Sequence, residues 1–247
     1  MSGHSKWATI KRKKEALDSK RGQIFTKIIK EIMVAARMGG SNPEGNARLK
    51  MVVMKAKAAN MPKDNIDRAI KKGAGEMDGQ EFVELNYEAY APGGVAVLIE
   101  TLTDNKNRTA ADVRMILNKA NGSLATAGAV TRLFERKGSI VFDGEKFTED
   151  QIMELALDAG AEDVVSSGGS IEVLTSPEDF SKVLETFQNK GLQTEMAEVS
   201  LIPMSRVSID KEAAEKVMGM IDRLEENDDV QHVYHNLDTS VLDDAEE

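Results

Sequence analysis

The chain has 247 residues, a formal net charge of −10 and no cysteine, which excludes disulfides, zinc-thiolate sites and a thiol nucleophile. That length suits two or three compact domains, so a sizeable buried core is available. No stretch approaches the roughly 18 consecutive apolar residues of a membrane span, and the first twenty residues are polar and basic instead of signal-like, so a cytoplasmic protein without a membrane partner is expected.

The charge is segregated along the chain. Residues 1–76 carry 18 Lys and Arg against 7 Asp and Glu, net +11, whereas residues 77–247 are net −21. A uniformly solvated surface needs no such split, so the split marks a polyanion-binding segment joined to something else. The competing reading is a basic face docked on the protein's own acidic domains.

The chain opens with an arm that includes Lys6, Trp7 and the run Lys11, Arg12, Lys13 and Lys14, with little that could fold alone. From Lys20 the pattern turns helical: Ile24, Ile28, Ile32 and Ala36 repeat every four residues until Gly39-Gly40 stops them. Lys20, Lys27, Lys30 and Arg37 fall on the opposite side of that helix, predicting one packed face and one basic face. A second helix from about Ala47 to Ala59 turns Leu49, Val52, Val53 and Ala56 inward, with Arg48, Lys50, Lys55 and Lys57 at the edges. Pro62 and Asp64 suit the first turn of a third helix that carries Ile66, Ala69 and Ile70 and stops at Gly73 after Lys71-Lys72.

The glycines at 73, 75 and 79 read as a linker, after which two-residue alternation replaces the helical period. Val83–Ala89 and the β-branched run Val95–Thr101 flank the turn Pro92-Gly93-Gly94, which predicts a hairpin. A helix from about Thr109 to Ala120 ends at Asn121-Gly122. Val130–Phe134 and Ser139–Phe142 are expected to form another hairpin about Lys137-Gly138, and Thr148 with Gln151 matches a capping box opening a helix to Gly160. Strands at 163–165 and 171–174, a helix opened by Ser176-Pro177, and a strand over 195–202 complete an α+β unit. A strand at Val207–Ile209, a helix capped by Asp210 and a strand from Asp229 to Tyr234 follow. Alone, this last β-α-β is too small to bury two faces, but it completes the β-β-α of residues 80–121 as a split sheet with helices on one side.

The expected fold is therefore α+β in three domains, an N-terminal basic helical domain and two small sandwich-like α+β domains. They comprise a basic arm and helical domain over 1–78, a discontinuous domain over 79–129 and 205–247, and a domain over 130–204 inserted into it.

Catalytic options are few. His232 and His235 sit three apart on a strand and point to opposite faces, so ordinary strand histidines outweigh a metal pair. The glycine-rich stretch 39–45 lacks the Gly-Lys-Ser/Thr of a phosphate loop. Asp104–Arg108 starts like a calcium loop but continues with Lys and Arg where carboxylates belong, so a capped strand-to-helix turn is the better reading. No enzyme, metal site or cofactor is predicted. The candidate nucleic-acid contacts are Lys6, Trp7, Lys11, Arg12, Lys13, Lys14, Lys20, Arg21, Lys27, Lys30, Arg37, Arg48 and Lys50, which can neutralise phosphates without reading sequence. Arginines 12, 21, 37, 48 and 68 are scattered, so the first domain presents no short recognition helix with an Arg/Asn/Gln cluster and modest sequence specificity is expected. With only Trp7 and Phe25 as aromatics there, a reader that stacks successive single-stranded bases is disfavoured.

Five segments in order, Gly3–Lys11, Gly22–Lys27, Asn60–Ile66, Pro92–Val97 and Asp104–Thr109, closely resemble the YebC/PmpR family over essentially the whole chain. The resemblance implies a three-domain, cytoplasmic, non-enzymatic regulator, described in bacteria as a DNA-binding transcriptional regulator. It equally implies relatives in translation: a mitochondrial activator for a cytochrome oxidase subunit, and bacterial ribosome-associated factors that relieve stalling at proline runs. The partners it implies are DNA, ribosomal RNA, or both, with the ribosome or the transcription machinery behind them. Ala89 and Ala91 depart from the family's usual glycines, and Asn121-Gly122-Ser123 replaces a more glycine-rich turn.

Overall fold

The computed structural model describes residues 21–78, 80–167 and 169–242. Three helices come first: α1 (Arg21–Gly39), α2 (Ala47–Ala58) and α3 (Lys63–Gly73). Their inward stripes meet in one core of Ile28, Ile32, Leu49, Val52, Ala56, Met61, Ile66 and Ala69. Asn46 joins α1 to α2. Its Oδ1 accepts from the Leu49 amide at 3.0 Å while its Nδ2 donates to the carbonyls of Ala35 and Gly40, so a buried side chain caps one helix and ties down the end of the other. At the end of α3, Gly73 lies against the Met33 backbone of α1, where any Cβ would collide.

The chain then forms β1 (Val83–Ala91), β2 (Val95–Thr103), α4 (Lys106–Lys119), β3 (Ser123–Leu124), β4 (Phe134–Asp143), α5 (Glu149–Ala159), β5 (Asp163–Ser167), β6 (Ser170–Thr175), α6 (Phe180–Asn189), β7 (Met196–Pro203), α7 (Lys211–Glu225) and β8 (Val230–His235). The fold is α+β. One antiparallel sheet has the order β3-β1-β2-β8 and the other β5-β6-β4-β7.

In the first sheet, Ala89, Val97 and Ile99 pack with Val113 and Leu117 of α4 and with Val217, Ile221 and Leu224 of α7, so the core draws on residues far apart in sequence. The opposite face of β2 is also covered, since Ala96 and Leu98 pack against Val130 and Phe134. Burial on both faces explains why β2 reads as a continuous apolar run instead of an alternating one. Ala89 and Ala91 are both buried. After α4, Asn121 takes φ +57 and the Gly122 amide bonds back to the Leu117 carbonyl, closing the helix at the Asn-Gly pair. The second sheet packs Ile140, Phe142, Ile171 and Val173 against α5 and α6, with Phe142 and Phe187 edge to face at 4.8 Å. The capping box of Thr148 and Gln151 opens α5.

Two expected elements differ. The hairpin about Lys137-Gly138 does not form: β4 runs unbroken through both residues, paired with β6 and β7 on its two sides. Gly138 is there because Thr175 and Phe180 occupy the space a Cβ would need, a close approach and not a turn. The expected strand at Val207–Ile209 is reduced to a single bridge between Val207 and Leu237. That bridge lies just past the end of β8, the edge strand of the sheet, which pairs with β2 alone among the described strands.

Entry into the second sheet is held by one carboxylate. Glu88 of β1 accepts from the amides of Gly128 at 2.6 Å, Val130 at 2.5 Å and Thr131 at 2.9 Å. Partial burial would raise its pKa, but these three donors hold it below the usual value.

Candidate nucleic-acid interface

The basic side of α1 is not one surface. Gln23, Lys27 and Lys30 lie along the end of α7: Gln23 Nε2 donates to the Glu226 carbonyl at 3.3 Å, Lys27 Nζ to that of Glu225 at 2.6 Å, and Lys30 Nζ to that of Asp228 at 2.8 Å. A helix C-terminus exposes unpaired carbonyls and the negative end of its dipole, so two lysines there are electrostatically matched. Lys30, expected to face solvent, is buried at 8 % exposure and bonds Asp229 Oδ1 at 2.7 Å.

Asp229 is the centre of this junction. Its Oδ2 accepts from Arg108 Nη2 at 2.7 Å and Thr109 Oγ1 at 2.8 Å, with Thr103 Oγ1 at 3.3 Å. Burial would push its carboxyl up, but hydrogen bonds from Lys30, Arg108 and Thr109 hold it below the usual carboxylate value. Arg108 also reaches Asp104 at 2.8 Å, and Asn105 Oδ1 accepts from the Arg108 amide as the N-cap of α4. The Asp104–Arg108 segment is thus a capped turn whose charges tie α1, α4 and the start of β8 together.

The other expected contacts divide further. Arg37 and Arg48 are exposed but pair with Glu81, at 2.7 Å, and Glu84, on the approach to β1 and on β1 itself. Lys50 pairs with Glu44 at 3.0 Å, and Arg21 is exposed at the start of α1. Lys6, Trp7, Lys11, Arg12, Lys13, Lys14 and Lys20 lie outside the described residues.

Five cations that the sequence reading left out of its candidate set make no ion pair among the described residues: Lys57 on α2, and Lys63, Arg68, Lys71 and Lys72 on α3. All are exposed except Lys72, which is half-buried. For the four on α3 the signal was present as the polar side of that helix, opposite Ile66 and Ala69. Asp64 and Asp67 stand among those cations in sequence, yet neither pairs with them among the described residues. Over residues 21–76 the net charge is +7, so this unit stays basic after its arm is set aside. Exposed pairs such as Arg37 with Glu81 are worth about 0–1 kcal/mol, so a phosphate could draw those cations away at little cost.

These features define a class: a cation-faced three-helix unit locked by a buried carboxylate onto a body of two antiparallel α+β sheets. Residues 5–76 match the family described as the TACO1/YebC protein N-terminal domain, and residues 82–237 match the TACO1/YebC second and third domain. The chain belongs to the TACO1/YebC family. A relative named "Probable transcriptional regulatory protein BG0025" from Borrelia garinii subsp. bavariensis is 58 % identical over 238 residues, spanning 96 % of this chain and 98 % of that protein. Relatives named "Probable transcriptional regulatory protein" occur in Treponema pallidum, at 58 % identity over 96 % of this chain and 97 % of theirs, and in Syntrophus aciditrophicus, at 55 % over 96 % of both. The crystal structure of a conserved hypothetical protein from Aquifex aeolicus is similar, with a TM-score of 0.80 and 46 % identity over 90 % of this chain and 92 % of that one. The names that the Borrelia, Treponema and Syntrophus relatives carry are regulatory, not enzymatic. Among the described residues no helix is long and apolar enough to cross a membrane.

Proposed function

We propose that this protein is a cytoplasmic, non-enzymatic regulator of gene expression that binds DNA through its helical unit, gripping phosphates more than reading bases. The observation that carries this reading is the set of cations without carboxylate partners among the described residues, Lys57, Lys63, Arg68, Lys71 and Lys72, in a unit whose other described lysines make internal contacts. Cations kept unneutralised, four of these five exposed, supply affinity for a polyanion through counterion release. The regulatory names of relatives at 58 % identity support the same reading.

The test is binding to a mixed-sequence duplex over a salt titration. Changing Lys57, Lys63, Arg68 and Lys71 together to Ala should lower the log-log salt slope by about 3 to 4 units, and the same change at Lys11, Arg12, Lys13 and Lys14 should act similarly. Unchanged slopes in both variants would sink the reading. Lysine predominates in this set, and lysines hold folded RNA as readily as a duplex. Ribosome co-sedimentation at physiological salt without duplex binding would therefore move the assignment to translation.

A further inference from the structure

A second cationic surface lies in the half of the chain that is net −21. The solvent side of α4 presents Asn107, Ala111, Arg114, Met115, Asn118 and Lys119, all exposed. Positions 107, 111, 114, 115 and 118 follow the spacing that places residues on one stripe of a helix. No exposed residue of α4 is acidic. Its one carboxylate, Asp112, is half-buried, with Asn227 Nδ2 3.5 Å away. Arg114 and Lys119 have no ion-pair partner among the described residues, though carboxylates abound in this half of the chain.

Composition separates this stripe from the helical unit. Arg and Asn make paired hydrogen bonds to guanine and adenine edges in the major groove from planar, pre-organised groups, whereas lysine offers a point charge on a flexible stem. In the helical unit Arg37 and Arg48 are paired with glutamates and Arg21 and Arg68 stand on different helices, so no comparable stripe exists there among the described residues. On α4, Met115 is 50 % exposed between the polar groups and Ala111 keeps the middle of the stripe short. Fourteen residues give a helix about 21 Å long, and a short residue at its centre lets the backbone approach a groove about 12 Å wide.

The helix is also rigidly placed. Val113 and Leu117 are fully buried against the first sheet, and Asn105 caps the N-terminus. Arg108 and Thr109 bond the same Asp229 that Lys30 of α1 bonds, so α4 is held in fixed relation to the helical unit.

We propose that the exposed stripe of α4 is a second DNA contact, one that meets base edges in the major groove of a duplex while the helical unit holds phosphates. The proposal rests on the nucleic-acid reading given above and adds to it the surface from which any sequence preference comes. Charge complementarity selects the occupant: cations unpaired among the described residues, and amides with no exposed carboxylate on the same helix, suit a polyphosphate duplex.

The experiment selects binding sites from random duplexes with the full chain, and measures salt-titrated binding to one mixed-sequence duplex in parallel. Wild type should enrich a short motif. Arg114→Ala with Asn118→Ala should flatten that enrichment, lowering preference for the motif over the mixed duplex about tenfold or more. Binding to the mixed duplex should stay within about twofold to threefold, since at most one phosphate contact is lost, and the thermal midpoint should be unchanged. Arg114→Lys keeps the charge but not the planar fork, so it should lose the motif while retaining the salt slope. A motif that survives in the double variant overturns the proposal, as does a wild-type chain that binds the mixed duplex and enriches nothing. A wild-type chain that binds no duplex overturns the parent reading and this one with it.

Discussion

Lys30 and Lys71 are the same residue type in the same three-helix unit, yet they do opposite things. Lys30 is buried, bonded to Asp229 and to the end of α7, and holds the unit on the body. Lys71, on α3, is exposed with no carboxylate partner among the described residues. The difference teaches that a basic face is assigned by what the rest of the chain brings against it. Where an acidic turn and a helix C-terminus are delivered to the lysines, the charge becomes structure. Where nothing is delivered, it stays available for a ligand.

Removing the buried partner should separate the two regions most sharply. Lys30→Met leaves Asp229 without one of its two cations, and breaking a buried pair of this kind costs about 3–5 kcal/mol, read as a shift in the urea unfolding midpoint. Affinity for a mixed duplex should be lost only in proportion to the unfolded fraction; a loss of binding at full stability would place Lys30 with the ligand contacts after all. Ile28→Ala, at a core position 2 % exposed, should cost about 2–5 kcal/mol without changing the salt slope of the folded protein.

The junction should also show in the pH dependence. The Asp229 carboxyl is held below its ordinary value in the folded protein, so its contribution is fully present above the ordinary carboxylate range and fades as pH falls through the lowered value. Glu88, lowered in the same direction, adds to the same acid limb. Unfolding midpoints measured from neutral to strongly acidic pH should therefore fall less steeply in Asp229→Asn than in wild type, from a lower starting point. Parallel acid limbs would remove Asp229 from the account. The smallest effect on stability is expected at the surface: Arg48→Ala, which breaks an exposed pair with Glu84, should change stability by no more than about 1 kcal/mol. The same change should reduce the salt slope by about one unit if Arg48 swaps its glutamate for a phosphate.

Much of the scaffold was legible because its signals are local. The four-residue repeat of Ile24, Ile28, Ile32 and Ala36, the capping box of Thr148 and Gln151, and the Asn121-Gly122 stop each act within one or two turns of chain. Gly138 misled because a glycine that makes a turn and a glycine that admits a neighbouring phenylalanine look alike until the neighbour is in place. The strand expected at Val207–Ile209 had suitable residues, but only Val207 finds a partner, Leu237, just past the end of β8.

By itself the sequence determined the α+β class, the basic helical unit and its segregation from an acidic remainder, because periodicity, caps and net charge are properties of short segments. Only the tertiary structure decided which cations are spent. Lys30 meets a carboxylate 199 positions away, and Arg48 one 36 positions away, while Lys63 and Arg68 meet none among the described residues. A charge's role depends on burial and on the nearest opposite charge, and both are set by packing between segments, not by the order of residues within one.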